Sequence, residues 1–373
     1  MVSRPLVSIL MPTHSRTDVI GFAIESVLAQ TVGDFELLVV GDGCAQGTGD
    51  IVSRYRDPRI RFLDLPKAPH FGYANRNAAL RESRGEIIGF AADDDLLFPD
   101  HLELLLKELQ GGAALAYGQA LWVSTDGIAA PFLANLTVAN ELRTFMTRGN
   151  SIAASCFLYR VNSLPARDSW PEDIPVAADW YLWRKIIAEN PRNPVSYCRM
   201  PTVLHFSARR KNSRHSSTFR LATLLKIADS VSWWPAPLRV AIPDGMTEQE
   251  VFSDLMHTDA VGWSARIRSA SSDLVARLAW DDISSVRPTL EKKVEEVEIL
   301  RSELSSVRQL VAAVETSSFE MRNSATSECE RLRKLLDAAN ARLEERADAI
   351  ERMRASRIWR MREAVVAMLN KRR

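Results

Sequence analysis

The stretch Phe35-Glu36-Leu37-Leu38-Val39-Val40-Gly41-Asp42-Gly43 is a short apolar run closed abruptly by glycine and aspartate. Apolar without alternation and cut off by turn residues, it reads as a strand covered on both faces. Working outward, Leu6 to Met11 is a similar run ending at Pro12, and Thr17 to Gln30 has helical spacing at Ile20, Ala23, Ile24, Val27 and Leu28. On the other side, helix-like Gly49 to Tyr55, strand-like Arg59 to Leu63, helix-like Ala74 to Ser83 and strand-like Glu86 to Phe90 follow in turn. Apolar strands alternating with helices predict an α/β fold, a doubly wound sheet with helices on both faces. After Pro99 comes a helical Asp100 to Leu109. Ala113 to Ser124 and Ile128 to Leu133 then read as a hairpin across Thr125-Asp126-Gly127. Less regular sequence runs to about residue 220, and a helical stretch to Ser285 is interrupted at Trp233-Trp234-Pro235.

The last quarter has a different grammar. No glycine follows Gly262 and no proline follows Pro288, so nothing punctuates the last 85 residues. Val297, Leu304 and Val311 mark one heptad position, with Leu300, Val307 and Val314 three residues after each. The pattern weakens through Ser317 to Ser327 and resumes at Leu332, Leu336, Leu343 and Ile350 with a shift of four residues, which reads as a stutter. A polar helix of this kind needs a partner for its narrow apolar seam. The expectation is a coiled coil over 288–356 that joins copies of the chain as a dimer or trimer. The end, 357–373, puts Ile358, Met361, Val365, Met368 and Leu369 on one stripe among many cations. That is the pattern of a basic amphipathic helix suited to peripheral contact with an anionic membrane. The expected organisation is therefore a catalytic domain over 1–225, split near residue 110, then a helical connector over 226–287, the coiled coil, and the basic tail.

Composition narrows the class. The 373 residues are 46% apolar and 25% charged, with 48 Lys and Arg against 47 Asp and Glu, so no global charge points to nucleic acid. No apolar run approaches the ~20 residues of a membrane span, and no signal segment is read at the start. Cys44, Cys156, Cys198 and Cys329 lie far apart without metal-site spacing and read as thiols of a reducing cytosol.

In a sheet of this kind ligands bind beyond the carboxyl ends of the strands. Thr13-His14-Ser15-Arg16, Asp42 and Asp93-Asp94-Asp95 all fall there. Three adjacent carboxylates repel unless solvated or bound to a cation, and hard divalent ions share their coordination between such oxygens and substrate phosphates. Gly41-x-Gly43 also follows a strand, as in dinucleotide-binding folds. But the third glycine of that fingerprint is replaced by Gln46, and the strand is the second rather than the first.

Five motifs in order carry a resemblance. Pro12-Thr13-His14-Ser15-Arg16 resembles "PTYNR", and Ser26-Val27-Leu28-Ala29-Gln30-Thr31 resembles "SVLxQT". Glu36 to Gly43 resembles "EIIVVDDGS", Gly72 to Asn77 resembles "GxxxARN", and Gly85 to Asp95 resembles "GEYIxxLDDDD". Together they resemble family 2 glycosyltransferases of the nucleotide-sugar-dependent type, with the GT-A fold. The resemblance is strong to Leu109, loose to about Arg220 and absent beyond.

It implies an inverting transfer from a nucleoside-diphosphate sugar to a saccharide or lipid-linked saccharide, as in bacterial surface-polysaccharide assembly, with Mn²⁺ or Mg²⁺ as cofactor; the thiols and the basic tail add the expectation of a cytoplasmic location, peripheral at the inner face of the cell membrane. By resemblance, Pro12, Thr13, Arg16, Asp42, Arg76, Asp93 and Asp94 attend the donor nucleotide. Asp93 and Asp95, with His205 as a weaker candidate, hold the metal. Asp179-Trp180-Tyr181-Leu182-Trp183-Arg184 resembles the "(E/D)DWxLWxR" context of the catalytic base, which makes Asp179 the base and Glu172 and Asp173 the fallbacks. Arg209, Arg210 and Lys211 fall in a loop that can close over a diphosphate in that family. Two family acids are missing, at Gly41 and Ala92. They leave open a decayed transferase head that serves the coiled coil as an assembly protein.

Overall fold

A computed structural model describes residues 4–44, 47–164, 166, 169–206, 219–318, 326–356 and 361. The basic loop at Arg209, Arg210 and Lys211 and nearly all of the amphipathic tail lie outside the described residues.

The first half alternates as its sequence requires: β1 (Val7–Thr13), α1 (Ile20–Leu28), β2 (Phe35–Asp42), α2 (Thr48–Arg54), β3 (Ile60–Leu65), α3 (Tyr73–Glu82) and β4 (Ile87–Phe90). These four strands are parallel in the order β3-β2-β1-β4. Every residue of β2 and β4 is buried, which is why both read as apolar runs without alternation. The chain then passes through β5 (Leu96–Leu97) and α4 (His101–Leu109) to β6 (Leu115–Val123) and β7 (Ala129–Phe132), an antiparallel hairpin turning at Gly127, whose φ is +80°. After α5 (Ala139–Thr147) come β8 (Phe157–Arg160), α6 (Ala178–Glu189) and β9 (Val195–Phe206). β8 pairs antiparallel with β4 and with β6, so the sheet is parallel only in its first half and mixed in its second.

Three helices follow: α7 (Phe219–Ser230), α8 (Glu248–Thr258), which opens on a capping box between Thr247 and Glu250, and α9 (Ala260–Ser318). The first compact unit runs to Ser272 and so includes α8 and the opening turns of α9. Phe252 meets Phe206, and Trp263 meets Phe98 at 5.3 Å. Arg268 forks onto both carboxylate oxygens of Asp100 at 2.7 Å.

The second unit, Asp273 onward, holds the rest of α9 and α10 (Thr326–Arg354). Pro288 lies inside α9, so the helix runs through the expected start of the coiled coil. Val297, Leu304 and Val311 are buried on α9, and Leu332 and Ile350 on α10. Arg346 pairs with Glu296. These two residues lie at similar distances from the interval between the helices, each about 30 Å along its helix axis, so α10 runs back along α9. Part of the seam read as meeting a second copy is covered within one chain, at Val297, Leu304 and Val311, while Ile299, Leu310 and Leu335 stay exposed. The physical reason is that a heptad stripe specifies an apolar partner, not which molecule supplies it.

Candidate active site

The carboxyl ends of β1, β2 and β4 bring the expected residues to one edge. Thr13 is level with Gly41 across the β1–β2 ladder and is buried. Asp93, Asp94 and Asp95 follow β4 in a turn closed by Asp95 N–H donating to the Ala92 carbonyl. The turn is anchored from α1. Ser26 Oγ accepts from Leu97 N–H, Gln30 Nε2 donates to the Phe98 carbonyl, and its Oε1 accepts from Leu102 N–H at 3.0 Å. The Ser26…Gln30 motif thus fixes the segment just beyond the aspartates.

The three carboxylates have different surroundings. Asp95 is 1% exposed, with one oxygen accepting from Ser155 Oγ at 2.6 Å and the other facing His205 Nδ1 at 2.8 Å. Ser155 Oγ also accepts from Ala92 N–H, so it holds both ends of the turn. Asp94 pairs with Arg16, and Asp93 lies 3.5 Å from Arg16 Nε. Burial pushes the Asp94 carboxyl up to about 7, and its two aspartate neighbours push the same way. Burial likewise raises Asp93 against the pull of Arg16. Gln249, from α8, reaches in to the Asp94 carbonyl. Among the described residues no three His, Cys, Asp or Glu side chains converge as a metal cluster. Asp95 and His205 nonetheless form an adjacent oxygen–nitrogen pair. Such a pair fits an ion that takes one or two protein ligands and completes its shell with phosphate oxygens and water.

Asp42 ends β2 and is 6% exposed. Its carboxylate accepts from Ala68 N–H at 2.8 Å, from Asn75 Nδ2 at 2.7 Å and from the Lys67 ammonium. The neighbouring Gly41 explains a missing acid. A Cβ there would lie 3.2 Å from the Phe62 ring and 3.3 Å from both Cys44 Sγ and the Leu63 carbonyl, so any side chain is crowded and needs these neighbours to give way.

Arg76, on α3, ties the edge together. Its guanidinium lies 5.0 Å from the Tyr73 ring centroid and 4.7 Å from that of Trp170, and its buried Nε has no hydrogen-bond partner. Burial lowers its pKa, opposed by Tyr73 and by the negative charge of Asp179, Asp42 and Asp93. A half-buried cation with a buried, unmet donor, within electrostatic reach of carboxylates from β2, the β4 turn and α6, marks where an anion would complete the set. Asp179 sits in the first turn of α6, two residues after Ala177, which precedes the helix with a φ of +62°. It accepts from Asn150 Nδ2 at 3.0 Å, and burial raises its carboxyl against the helix-end N–H groups and Arg76. The fallbacks Glu172 and Asp173 are both exposed, and Glu172 accepts from Asn77 Nδ2 at 2.6 Å.

The structure thus gathers Thr13, Arg16, Asp42, Arg76, the aspartate run, Asp179 and His205 from six segments. Ser155, Gln249 and Lys67 were not anticipated. None stands in a local motif, and each acts on a residue 25 or more positions away.

The glycosyl transferase family 2 model matches residues 8–164. WfgD of Escherichia coli, a UDP-Glc:alpha-D-GlcNAc-diphosphoundecaprenol beta-1,3-glucosyltransferase, is 30% identical over 189 residues, covering 50% of this chain and 71% of that protein. The chain belongs to glycosyl transferase family 2. Chondroitin synthase of Pasteurella multocida is 30% identical over 187 residues, 49% of this family 2 chain, which spans only 19% of the synthase's length. Among solved structures, S. aureus TarS 1–349 in complex with UDP-GlcNAc is 18% identical with a TM-score of 0.44, over 69% of this chain and 72% of that one. The family and its mixed α/β sheet correspond to the GT-A fold expected from the five motifs. No described helix is long and apolar enough to cross a membrane.

Proposed function

We propose that the chain transfers a sugar, with inversion, from a nucleoside-diphosphate donor to a hydroxyl of a saccharide or lipid-linked saccharide. Relatives such as the succinoglycan biosynthesis protein ExoO of Rhizobium meliloti and the glucosyltransferase WfgD support a role in polysaccharide assembly. The observation that carries the reading is half-buried Arg76, whose guanidinium feels the negative charge of Asp42 and Asp93 and also that of Asp179.

In this reading Thr13, Arg16 and Arg76 border the nucleotide and its phosphates, where a guanidinium fork suits a diphosphate. Asp95 and His205, with Asp93 beside them, would hold Mn²⁺ or Mg²⁺, which when bound supplies positive charge against the departing diphosphate. Asp179 takes the proton of the acceptor hydroxyl as its oxygen bonds the anomeric carbon. The bond from that carbon to the phosphate oxygen breaks on the opposite face, and its electron pair leaves with the nucleoside diphosphate. Charge in the site divides accordingly: cations where the leaving group goes, a carboxylate where the nucleophile arrives.

Kinetics on two variants test this. Asp179→Asn should keep donor affinity and lose about 10²-fold or more in turnover, the span of a general base. Asp95→Ala should lose metal-dependent donor affinity. Equal loss of donor affinity in both would contradict this division of roles.

A further inference from the structure

The β3–α3 loop, Pro66 to Gly72, is wrapped around the carboxylate of Asp42. Besides the bonds from Lys67 and Ala68 to that carboxylate, the Lys67 ammonium donates to the carbonyls of Ala68 at 2.9 Å and His70 at 3.3 Å, and Asn75 Nδ2 donates to the Pro66 carbonyl at 2.8 Å. Gly72 comes so close that a Cβ would lie 2.6 Å from Asp42 Cγ. A carboxylate has about four acceptor sites, and three are taken here while its charge is matched by an ammonium. So little of Asp42 is free that its contribution to donor binding goes through the loop it holds.

At the tip of that loop stands Phe71, 60% exposed. It is flanked by His70 with φ +58° and Gly72 with φ +72°, both in the left-handed region, which non-glycine residues such as His70 rarely adopt. A large apolar ring held in water by an unfavourable backbone is a local conflict that folding alone does not explain. The ring lies 6.2 Å from Tyr73, and Tyr73 stacks on Trp170, with Arg76 against both. An aromatic row therefore runs from the Arg76 guanidinium out to Phe71.

We infer that Phe71 is the surface on which the donor's base stacks, and that Asp42 is a positioning residue that clasps the loop presenting it. This rests on the donor reading above and adds a contact to it. Stacking needs only a π-face, so the ring serves uracil and guanine alike.

The test is calorimetric titration of the full chain with UDP, GDP and inorganic pyrophosphate, each with Mn²⁺. Phe71→Ala should weaken UDP and GDP by about tenfold or more, as base–aromatic stacking does elsewhere. It should leave pyrophosphate unchanged, and Phe71→Trp should restore nucleotide affinity. Asp42→Asn, which loosens the clasp, should weaken the nucleotides while again sparing pyrophosphate. Unchanged UDP and GDP affinity in Phe71→Ala would overturn the inference, as would an equal loss of pyrophosphate or a change confined to the acceptor's KM. If the wild-type chain binds none of the three ligands, the donor reading itself fails; if it binds them and Phe71→Ala binds them equally, only the stacking role does.

Discussion

His101 makes the stability of the first unit depend on pH in a way that can be worked out. It opens α4 just past the aspartate turn, is 1% exposed, and its Nδ1 has no hydrogen-bond partner. Burial pushes the imidazole from 6.5 down to about 4, although Asp100 and a bond to the Thr202 backbone favour the cation. The folded ring therefore stays neutral where the unfolded ring takes up a proton. Between pH 6.5 and about 4 the unfolded state binds more protons, so stability present above this window is lost as pH falls through it. At 1.36 kcal/mol per unit, and with the unfolded ring only partly protonated near 6.5, the loss between pH 7 and pH 5 is about 2 kcal/mol. Urea unfolding at both pH values measures the total. His101→Gln isolates this group, because it keeps a donor for the Thr202 backbone and cannot titrate. The variant should lose about 2 kcal/mol less than the wild type over the same interval. An identical loss in both proteins would refute the reasoning.

Two further outcomes are expected. A chain ending at Ser272 keeps Gln249, Trp263 and Arg268 on the sheet and should unfold cooperatively, whereas one ending at Leu225 loses all three and should not; equal behaviour would mean that α8 and the opening of α9 contribute nothing to this unit. Glu296→Cys combined with Arg346→Cys should oxidise to a cross-link within one molecule, which a covalent dimer on a non-reducing gel would contradict.

The parallel half of the sheet was legible because strands buried on both faces must be apolar throughout, as in Val7–Thr13 and Phe35–Asp42. The aspartate run stood out because three adjacent carboxylates at a strand end have few structural reasons to occur together, whereas Arg76 and Asp179 were reached through the family resemblance alone. Ser155 and Gln249 were not legible, since their only signal is contact with a turn more than 50 residues away in sequence. Lys67 and Phe71 escaped for another reason. A lysine and a phenylalanine in a loop look ordinary until the loop is seen folded on Asp42. In the tail the heptads were plain, and the weak stretch read as a stutter falls largely on 319–325, which lie outside the described residues.

The most direct test of the transferase reading is titration of a panel of nucleoside-diphosphate sugars into the full chain, with and without Mn²⁺. At least one UDP- or GDP-sugar should bind more tightly by about tenfold or more when the ion is present, because phosphate oxygens complete its shell beside Asp95 and His205. That gain should vanish in Asp95→Ala and persist in Asp179→Asn. Binding of every donor that ignores the metal, or a chain that binds no nucleotide sugar and only associates through its helices, would contradict it.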